Sequence, residues 1–325
     1  MIGGSGTSTV PIRAFGWIML AILAVFLLNA VLTFWFDFPG AKALFAGTSE
    51  NVFLSFVQLS LYALAIAAAV ISVSRRYYVT LREDAATIIA ANHFIIRAAF
   101  WVVFLVGLGD AILSFMRVEG LSELYFGEEL DSNLGRSAYR ATHFHVPLIL
   151  AGIAIAMFTR SLGFIWLSLL VVVAELLIVI SRFVFSYEQA FMGDLVRFWY
   201  GALFLFASAY TLLEDGHVRV DLLYAGMSRK KKGTVNAWGS IVLGMALCWT
   251  ILIIGFSSAN AVIVSPILVF EVTQSGFGMY VKYFMAGFLG IFAVTMMIQF
   301  VAQFFEAVAD KRGDPGARET HAEVI

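Results

Sequence analysis

The chain has 325 residues, of which 61% are hydrophobic and 13% charged, and its formal net charge is -1. An ordinary soluble domain carries about 25% charged residues, so this composition excludes a typical soluble enzyme, and the near-zero net charge gives no sign of a nucleic-acid partner. With a mean hydropathy of +0.89, the apolar excess must face lipid. We therefore expect an all-α integral membrane protein.

The predicted elements are apolar runs long enough to cross the hydrocarbon of a bilayer, which takes about 20 residues. The first run follows a Gly/Ser/Thr-rich leader and has no small-residue cleavage site after it, so we interpret it as a retained helix rather than a signal peptide. About eight transmembrane helices are predicted, near Ala14–Phe36, Val52–Val73, Ile95–Met116, Phe144–Phe158, Phe164–Ser181, Arg197–Leu213, Val235–Val262 and Tyr280–Phe305.

The fourth and fifth of these helices come from one nearly unbroken apolar run, Phe144–Phe185. As a single helix this run would be about 63 Å long, twice the thickness of the bilayer core. It must therefore fold back, and the turn is predicted at residues 159–163, which contain Arg160 and Gly163.

The distribution of lysine and arginine predicts the orientation of the spans. With the N-terminus inside, the inner segments carry about twice as many basic residues as the outer ones, and the strongest marker is the run 229–232. An even number of spans then places both termini in the cytoplasm (N-in/C-in). The longest outer loop, residues 117–143, is acidic, and we expect either a solvated surface or a docking face for a soluble partner.

Charged residues inside predicted spans are costly and usually face protein or water. Asp110 and Glu175 are the candidate intramembrane charges, whereas Arg182, Asp194, Arg197 and Lys282 lie near span ends. An ion path is one interpretation of the two carboxylates. Pairing between helices is the other, with snorkelling at the span ends.

Sequence signals for catalysis are missing. Walker A, Gly-x-Ser-x-Gly, His-Glu-x-x-His and Cys-x-x-Cys patterns do not occur, and the single cysteine, Cys248, lies in an apolar run. His143 and His145 invite a haem hypothesis, but neither His93 nor His217 is predicted at a matching depth. We therefore expect no catalytic residue, no metal site and no cofactor.

Two segments of mixed polarity flank the sixth span. Residues 182–197 suit a short helix in the outer interface, and residues 217–224 suit an amphipathic segment at the cytoplasmic surface. Interfacial helices of this kind would brace the bundle sideways, which suits a scaffold better than a moving part.

The same region resembles the small membrane subunit (DctQ-type) of the tripartite ATP-independent periplasmic, or TRAP, transporters. The matching motifs are Arg-Phe-Val-Phe at 182–185, Asp-Leu-Val-Arg at 194–197 and Asp-Gly-His-Val-Arg-Val-Asp-Leu-Leu at 215–223. The family usually has glutamate at position 194 and a second glycine at position 215. The motif residues are Arg182, Asp194, Arg197, Gly216, His217, Arg219, Asp221 and Lys282.

The resemblance implies a function without catalysis. A subunit of this kind binds a large membrane subunit that carries the substrate and sodium sites, while a periplasmic binding protein delivers an organic acid. The small subunit would be part of the fixed scaffold in the bacterial inner membrane. Asp194 and Arg197 would pair near the outer interface, and Arg219 and Asp221 would hold the cytoplasmic amphipathic helix.

The resemblance covers about half of the chain and predicts three regions. Residues 1–163 are a four-span extension that includes the acidic loop 117–143, residues 164–308 are the four-span small-permease domain, and residues 309–325 are a flexible cytoplasmic tail. Two alternatives stay open: a self-sufficient eight-span transporter or channel that uses Asp110 and Glu175, and a membrane redox protein with haem b.

Overall fold

The computed structural model describes residues 6–47, 51–160, 163–214, 224, 226–272 and 278–316. Regular structure in these ranges is helical, and no β-strand occurs among them. Eight helical segments in the described chain are long and apolar enough to cross a membrane. The predicted all-α architecture with eight spans is therefore confirmed.

The helices are named in chain order. They are α1 (Gly6–Trp35), α2 (Ala41–Ala46), α3 (Val52–Arg75), α4 (Leu81–Val118), α5 (Leu121–Phe126), α6 (Glu128–Leu134), α7 (Ser137–Arg140), a π-helical turn (Ala141–His145), α8 (Val146–Phe158), α9 (Phe164–Phe185), α10 (Ala190–Leu213), α11 (Arg229–Gly239), a second π-helical turn (Ser240–Met245), α12 (Ala246–Gly255), α13 (Val264–Leu268) and α14 (Lys282–Arg312).

Helix α4 is much longer than the apolar run that predicted it. It has 38 residues, against a predicted span of Ile95–Met116, and its length of about 57 Å exceeds the bilayer core. The additional first turns bury Leu81, Ala85, Ile88 and Ile89 at helical spacing. Apolar residues on one side of a helix stabilise it when that side is buried. Their mean hydropathy stays too low, however, for the sequence to predict a membrane span there.

The fourth span begins at Ser137, seven residues before the predicted start at Phe144. Its first turn includes Arg140, which we expected in the outer loop because arginine is costly inside a span. Only 1% of Arg140 is exposed, and the side chain is paired with a carboxylate. The remaining loop is not irregular either, because it contains α5 and α6.

The segment 182–197 does not form a separate interfacial helix, which differs from the expectation. Its first part is the last turn of α9, and its last part is inside α10. Buried Phe191, Asp194 and Phe198 follow the helical repeat of the span, so tertiary burial continues α10 back to Ala190. The second predicted interfacial segment, 217–224, lies outside the described residues except for Tyr224.

The chain divides into two compact units. The first consists of the described parts of Met1–Ala91, Thr211–Thr250 and Met296–Ile325, and the second of the described parts of Asn92–Tyr210 and Ile251–Thr295. Each unit contains segments from both sides of residue 163. The division of the sequence into an extension and a small-permease domain stays a prediction.

Close helix packing in the second unit depends on Gly152. A Cβ atom at this position would lie 2.8 Å from the backbone nitrogen of Val102, so α8 and α4 approach each other backbone to backbone. Small residues permit such contacts between transmembrane helices. Aromatic residues fill the neighbouring core, where Phe198, Phe206 and Phe288 are almost completely buried.

Candidate functional site

A buried polar site in the second unit surrounds the carboxylate of Asp110 on α4, which has no exposed surface. Its Oδ1 lies 2.6 Å from Nε of Arg140 and 2.7 Å from Nε2 of His145. Its Oδ2 accepts a hydrogen bond of 2.8 Å from the backbone N–H of Tyr280. Both carboxylate oxygens are therefore occupied by donors.

The π-helical turn Ala141–His145 explains how Arg140 and His145 reach the same carboxylate. In a regular α-helix, positions five residues apart project about 140° away from each other. A π-helical turn is wider and bonds residues five apart, which brings such positions towards one face. We infer that the turn is part of the site rather than an irregularity of the helix.

Further contacts complete the surroundings of Arg140. Its Nη2 donates to the backbone oxygen of Asp110 at 3.0 Å and to Oγ of Ser114 at 2.9 Å. The guanidinium carbon lies 4.4 Å from the ring centroid of Tyr280, a favourable cation–π distance. The buried cation thus has an opposite charge, two acceptors and an aromatic face, as a charge in an apolar environment requires.

His145 links Asp110 to α14. Its Nδ1 lies 2.7 Å from the hydroxyl oxygen of Tyr283. The arrangement fits a neutral imidazole whose Nε2–H donates to Asp110 and whose Nδ1 accepts the hydroxyl proton of Tyr283. We name these five residues, Asp110, Arg140, His145, Tyr280 and Tyr283, the Asp110 network.

The outer rim of the Asp110 network reaches the acidic loop. The hydroxyl of Tyr280 donates to the backbone oxygen of Gly135 at 2.8 Å. Nearby, Nε of Arg117 lies 3.3 Å from Oδ1 of Asp131, which joins the end of α4 to α6. Four of the acidic side chains of this loop remain exposed, at Glu119, Glu123, Glu128 and Glu129.

Asp194 binds the backbone next to the Asp110 network. Its Oδ2 accepts from the N–H of Met279 at 3.1 Å, so two consecutive N–H groups, those of Met279 and Tyr280, donate to two different buried carboxylates. The predicted partner Arg197 lies 3.8 Å from Asp194, but its side chain is 76% exposed. Asp194 therefore also contacts the segment that precedes α14.

The remaining residues selected from the sequence lie apart from this network. Arg182 is exposed and its Nε is 3.4 Å from Glu188, and Nζ of Lys282 is 2.5 Å from Glu271. Glu175 is exposed on α9. Gly216, His217, Arg219 and Asp221 lie outside the described residues.

The histidines of the haem hypothesis have other neighbours. His143 is exposed and stacks on Tyr139 with a centroid distance of 4.1 Å, and the ring of His93 lies beside Tyr210. No group of three or more metal-ligating side chains occurs among the described residues. His145 is engaged at both ring nitrogens in the Asp110 network.

The sequence selected Asp110 but missed Arg140, Tyr280 and Tyr283, and it assigned His145 only to a haem hypothesis. A usable signal was present. Asp110 lies near the end of one predicted span and Arg140 near the start of the next, and antiparallel neighbours bring such positions to a similar level. Placing Arg140 in the loop hid this pairing.

A second set of ion pairs lies in the first unit. Nε of Arg13 is 2.6 Å from Oδ2 of Asp84, and both side chains are buried. Arg82 contacts Glu306, and its Nη2 lies 2.8 Å from Oδ1 of Asp310. These contacts join the first turns of α4 to α1 and to the last turns of α14.

Comparison with known families identifies part of the chain. The model of the family described as tripartite ATP-independent periplasmic transporters, DctQ component, matches residues 168–310. The search of curated proteins returned no match. No solved structure matched either.

Proposed function

Since residues 168–310 form a domain of the DctQ family, the small membrane component of TRAP transporters, we propose that the chain is a non-catalytic scaffold subunit of such a transporter. It pairs with a large membrane subunit that carries the substrate and sodium sites. A periplasmic binding protein delivers the substrate, an organic acid. The family match carries this proposal.

The contacts of residues before position 164 support a fixed role for the whole chain. Within the second unit, Asp110 and His145 bind Tyr280 and Tyr283 of the matched segment. Within the first unit, Arg82 binds Asp310 at its end. The extension is therefore part of one scaffold with the matched domain, rather than an appendage on a linker.

The chemistry of the Asp110 network also fits a scaffold. A carboxylate that binds a transported ion or proton must be accessible to it, whereas Asp110 has no exposed surface and both of its oxygens already face donors. A buried network whose carboxylate is paired at both oxygens holds its helices in one arrangement. This argues against Asp110 as part of an ion path.

The proposal includes a topology. The chain lies in the bacterial inner membrane with both termini in the cytoplasm, as the positive-inside rule indicates for residues 229–232. The acidic loop, with exposed Glu119, Glu123, Glu128 and Glu129, then faces the periplasm and is available to the binding protein. The variant Ser228→Cys, made in a Cys248→Ser background, tests this topology. Its thiol should be protected from membrane-impermeant reagents in intact cells. Labelling from outside would contradict the topology.

Reconstitution tests the scaffold role. The chain co-expressed with the large subunit is expected to co-purify with it, and the pair with binding protein should take up substrate into liposomes when sodium is supplied. The chain alone should give no uptake. Sodium-driven uptake by the isolated chain, with its loss in Glu175→Gln, would instead support a self-sufficient transporter.

A further inference from the structure

Helix α9 is the least covered of the spans. Of its most apolar 18 residues, only 11% are buried, the lowest share among the eight membrane-length segments of the described chain. Glu175 lies near its centre, about 15 Å from either end, and is exposed. No hydrogen bond or ion pair to Glu175 occurs within the described part of the chain.

Exposing a carboxylate to lipid at this position costs free energy. Insertion scales assign about 2.5–3.5 kcal/mol to an acidic residue at the centre of a span, and such residues almost always face protein or a water-filled cavity. The described chain covers neither Glu175 nor its exposed neighbours on α9. A hydrogen-bond donor for this carboxylate must therefore come from outside the described part of the chain.

The exposed Ser, Glu and Arg residues of α9 are concentrated along one edge of the helix. Ser168, Glu175 and Arg182 are spaced seven residues apart, and exposed Val172 and Val179 lie between them. The resulting 4-3-4-3 spacing is the seam by which one helix packs along another. We name these five residues the α9 seam.

The residues opposite the α9 seam differ in character. Val173, Leu177 and Ile180 are exposed and apolar, as expected of a surface in contact with lipid tails. A helix that met only lipid would have no reason to place its charges on a single edge. The edge with Glu175 therefore differs chemically from the face opposite it.

We propose that the α9 seam docks a transmembrane helix of the large membrane subunit, and that this helix presents a hydrogen-bond donor to Glu175 at mid-membrane depth. The inference rests on the proposed function, because that function supplies the partner. A second copy of the chain does not fit. Parallel α9 helices meeting across a two-fold axis would bring two Glu175 carboxylates together at one depth, where like charges repel.

Site-specific photocrosslinking tests the direction of docking. The full chain, with p-benzoylphenylalanine in place of Val172 or Val179, is co-expressed with the large subunit and irradiated in membranes. The matched controls carry the same group in place of Val173 or Ile180, one residue further along the chain and on the other side of the helix. We expect at least about fivefold more crosslinking to the large subunit from the α9 seam than from the controls, because adjacent helical positions project about 100° apart.

Substitution of Glu175 tests the hydrogen bond. Glu175→Leu should weaken association with the large subunit about tenfold, equivalent to about 1.4 kcal/mol. Leu177→Ala, on the opposite exposed face, should leave association unchanged. The thermal stability of the isolated Glu175→Leu chain should not fall, because this carboxylate has no partner in the described chain.

Failure of this inference can be separated from failure of the proposed function. A wild-type chain that does not co-purify with the large subunit contradicts the function itself. If the wild-type chain does co-purify, three results overturn only the assignment of the α9 seam. They are equal crosslinking from both faces, crosslinks to a second copy, and unchanged association of Glu175→Leu.

Discussion

Nε2 of His145 lies 2.7 Å from Oδ1 of Asp110, and neither side chain has any exposed surface. The contact spans 35 residues of sequence and joins the end of one predicted span to the start of the next. Because Asp110 also accepts the N–H of Tyr280, this one carboxylate connects two membrane-length segments to the residues just before a third, α14. We consider the Asp110 network an important set of polar contacts between the helices of the second unit.

The first prediction concerns the charge of Asp110. Asp110→Asn keeps the shape of the side chain but leaves Arg140 as a buried cation without its counterion. Removing one partner of a buried pair costs about 3–5 kcal/mol, so thermal unfolding of the detergent-solubilised chain should occur at a clearly lower temperature. As a control, Glu188→Gln removes the partner of exposed Arg182 and should change stability by less than about 1 kcal/mol. Equal losses of stability from Asp110→Asn and Glu188→Gln would refute the central role of the network.

The second prediction compares two arginines that share Asp310. Arg82 and Arg229 each lie 2.8 Å from Oδ1 of Asp310, but their side chains are 14% and 53% exposed. Arg82→Gln should therefore destabilise the chain by more than about 1 kcal/mol, whereas Arg229→Gln should cost about 0–1 kcal/mol. Denaturant unfolding of the two variants measures the difference, and a larger loss from Arg229→Gln would show that burial does not set the strength of these pairs.

The third prediction concerns the close contact at Gly152. A Cβ atom there meets the backbone of Val102, which cannot rotate away, so Gly152→Ala should destabilise by about 1–3 kcal/mol. Gly193 is the matched control, since its Cβ would meet nothing within 4 Å in helix α10. Gly193→Ala should be neutral or stabilising by up to about 1 kcal/mol, and a similar melting temperature for both variants would argue against the tight approach of α8 and α4.

The fourth prediction is a titration outside the spans. Burial and a hydrogen bond of 2.8 Å to Glu119 raise the pKa of the Tyr187 hydroxyl to about 12. An unfolded tyrosine has a pKa of about 10. The contribution of the neutral phenol to stability is therefore complete below pH 10 and is lost as the pH rises through about 12.

The difference between the ultraviolet titration curves of the wild-type chain and Tyr187→Phe isolates this hydroxyl. Glu119→Gln should move the pKa of Tyr187 back towards 10, because the carboxylate both accepts the proton and repels the phenolate. A Tyr187 pKa near 10 in the wild-type chain would mean that the contact between residues 119 and 187 does not form in solution.

Composition and apolar run length predicted the fold class and the number of spans, because a bilayer imposes one length on every crossing helix. The boundaries were less accurate. Helix α4 and the span from Ser137 extend into polar sequence, where burial against neighbouring helices, rather than hydropathy, keeps the chain helical. The interruption between the fourth and fifth spans was predicted correctly, since α8 ends at Phe158 and α9 begins at Phe164. The prediction succeeded because a single helix of that length would not fit the membrane.

What the sequence by itself determined is the membrane character of this protein, its eight spans and the match of residues 168–310 to a family model, since each depends on local residue types. Only the tertiary structure decided which charges satisfy one another. Asp110 and Glu175 look alike in the sequence as carboxylates within apolar runs, yet Asp110 is completely buried among donors and Glu175 is exposed on α9. The difference depends on which helix faces are covered, and that is a property of packing between segments far apart in the chain rather than of any local pattern.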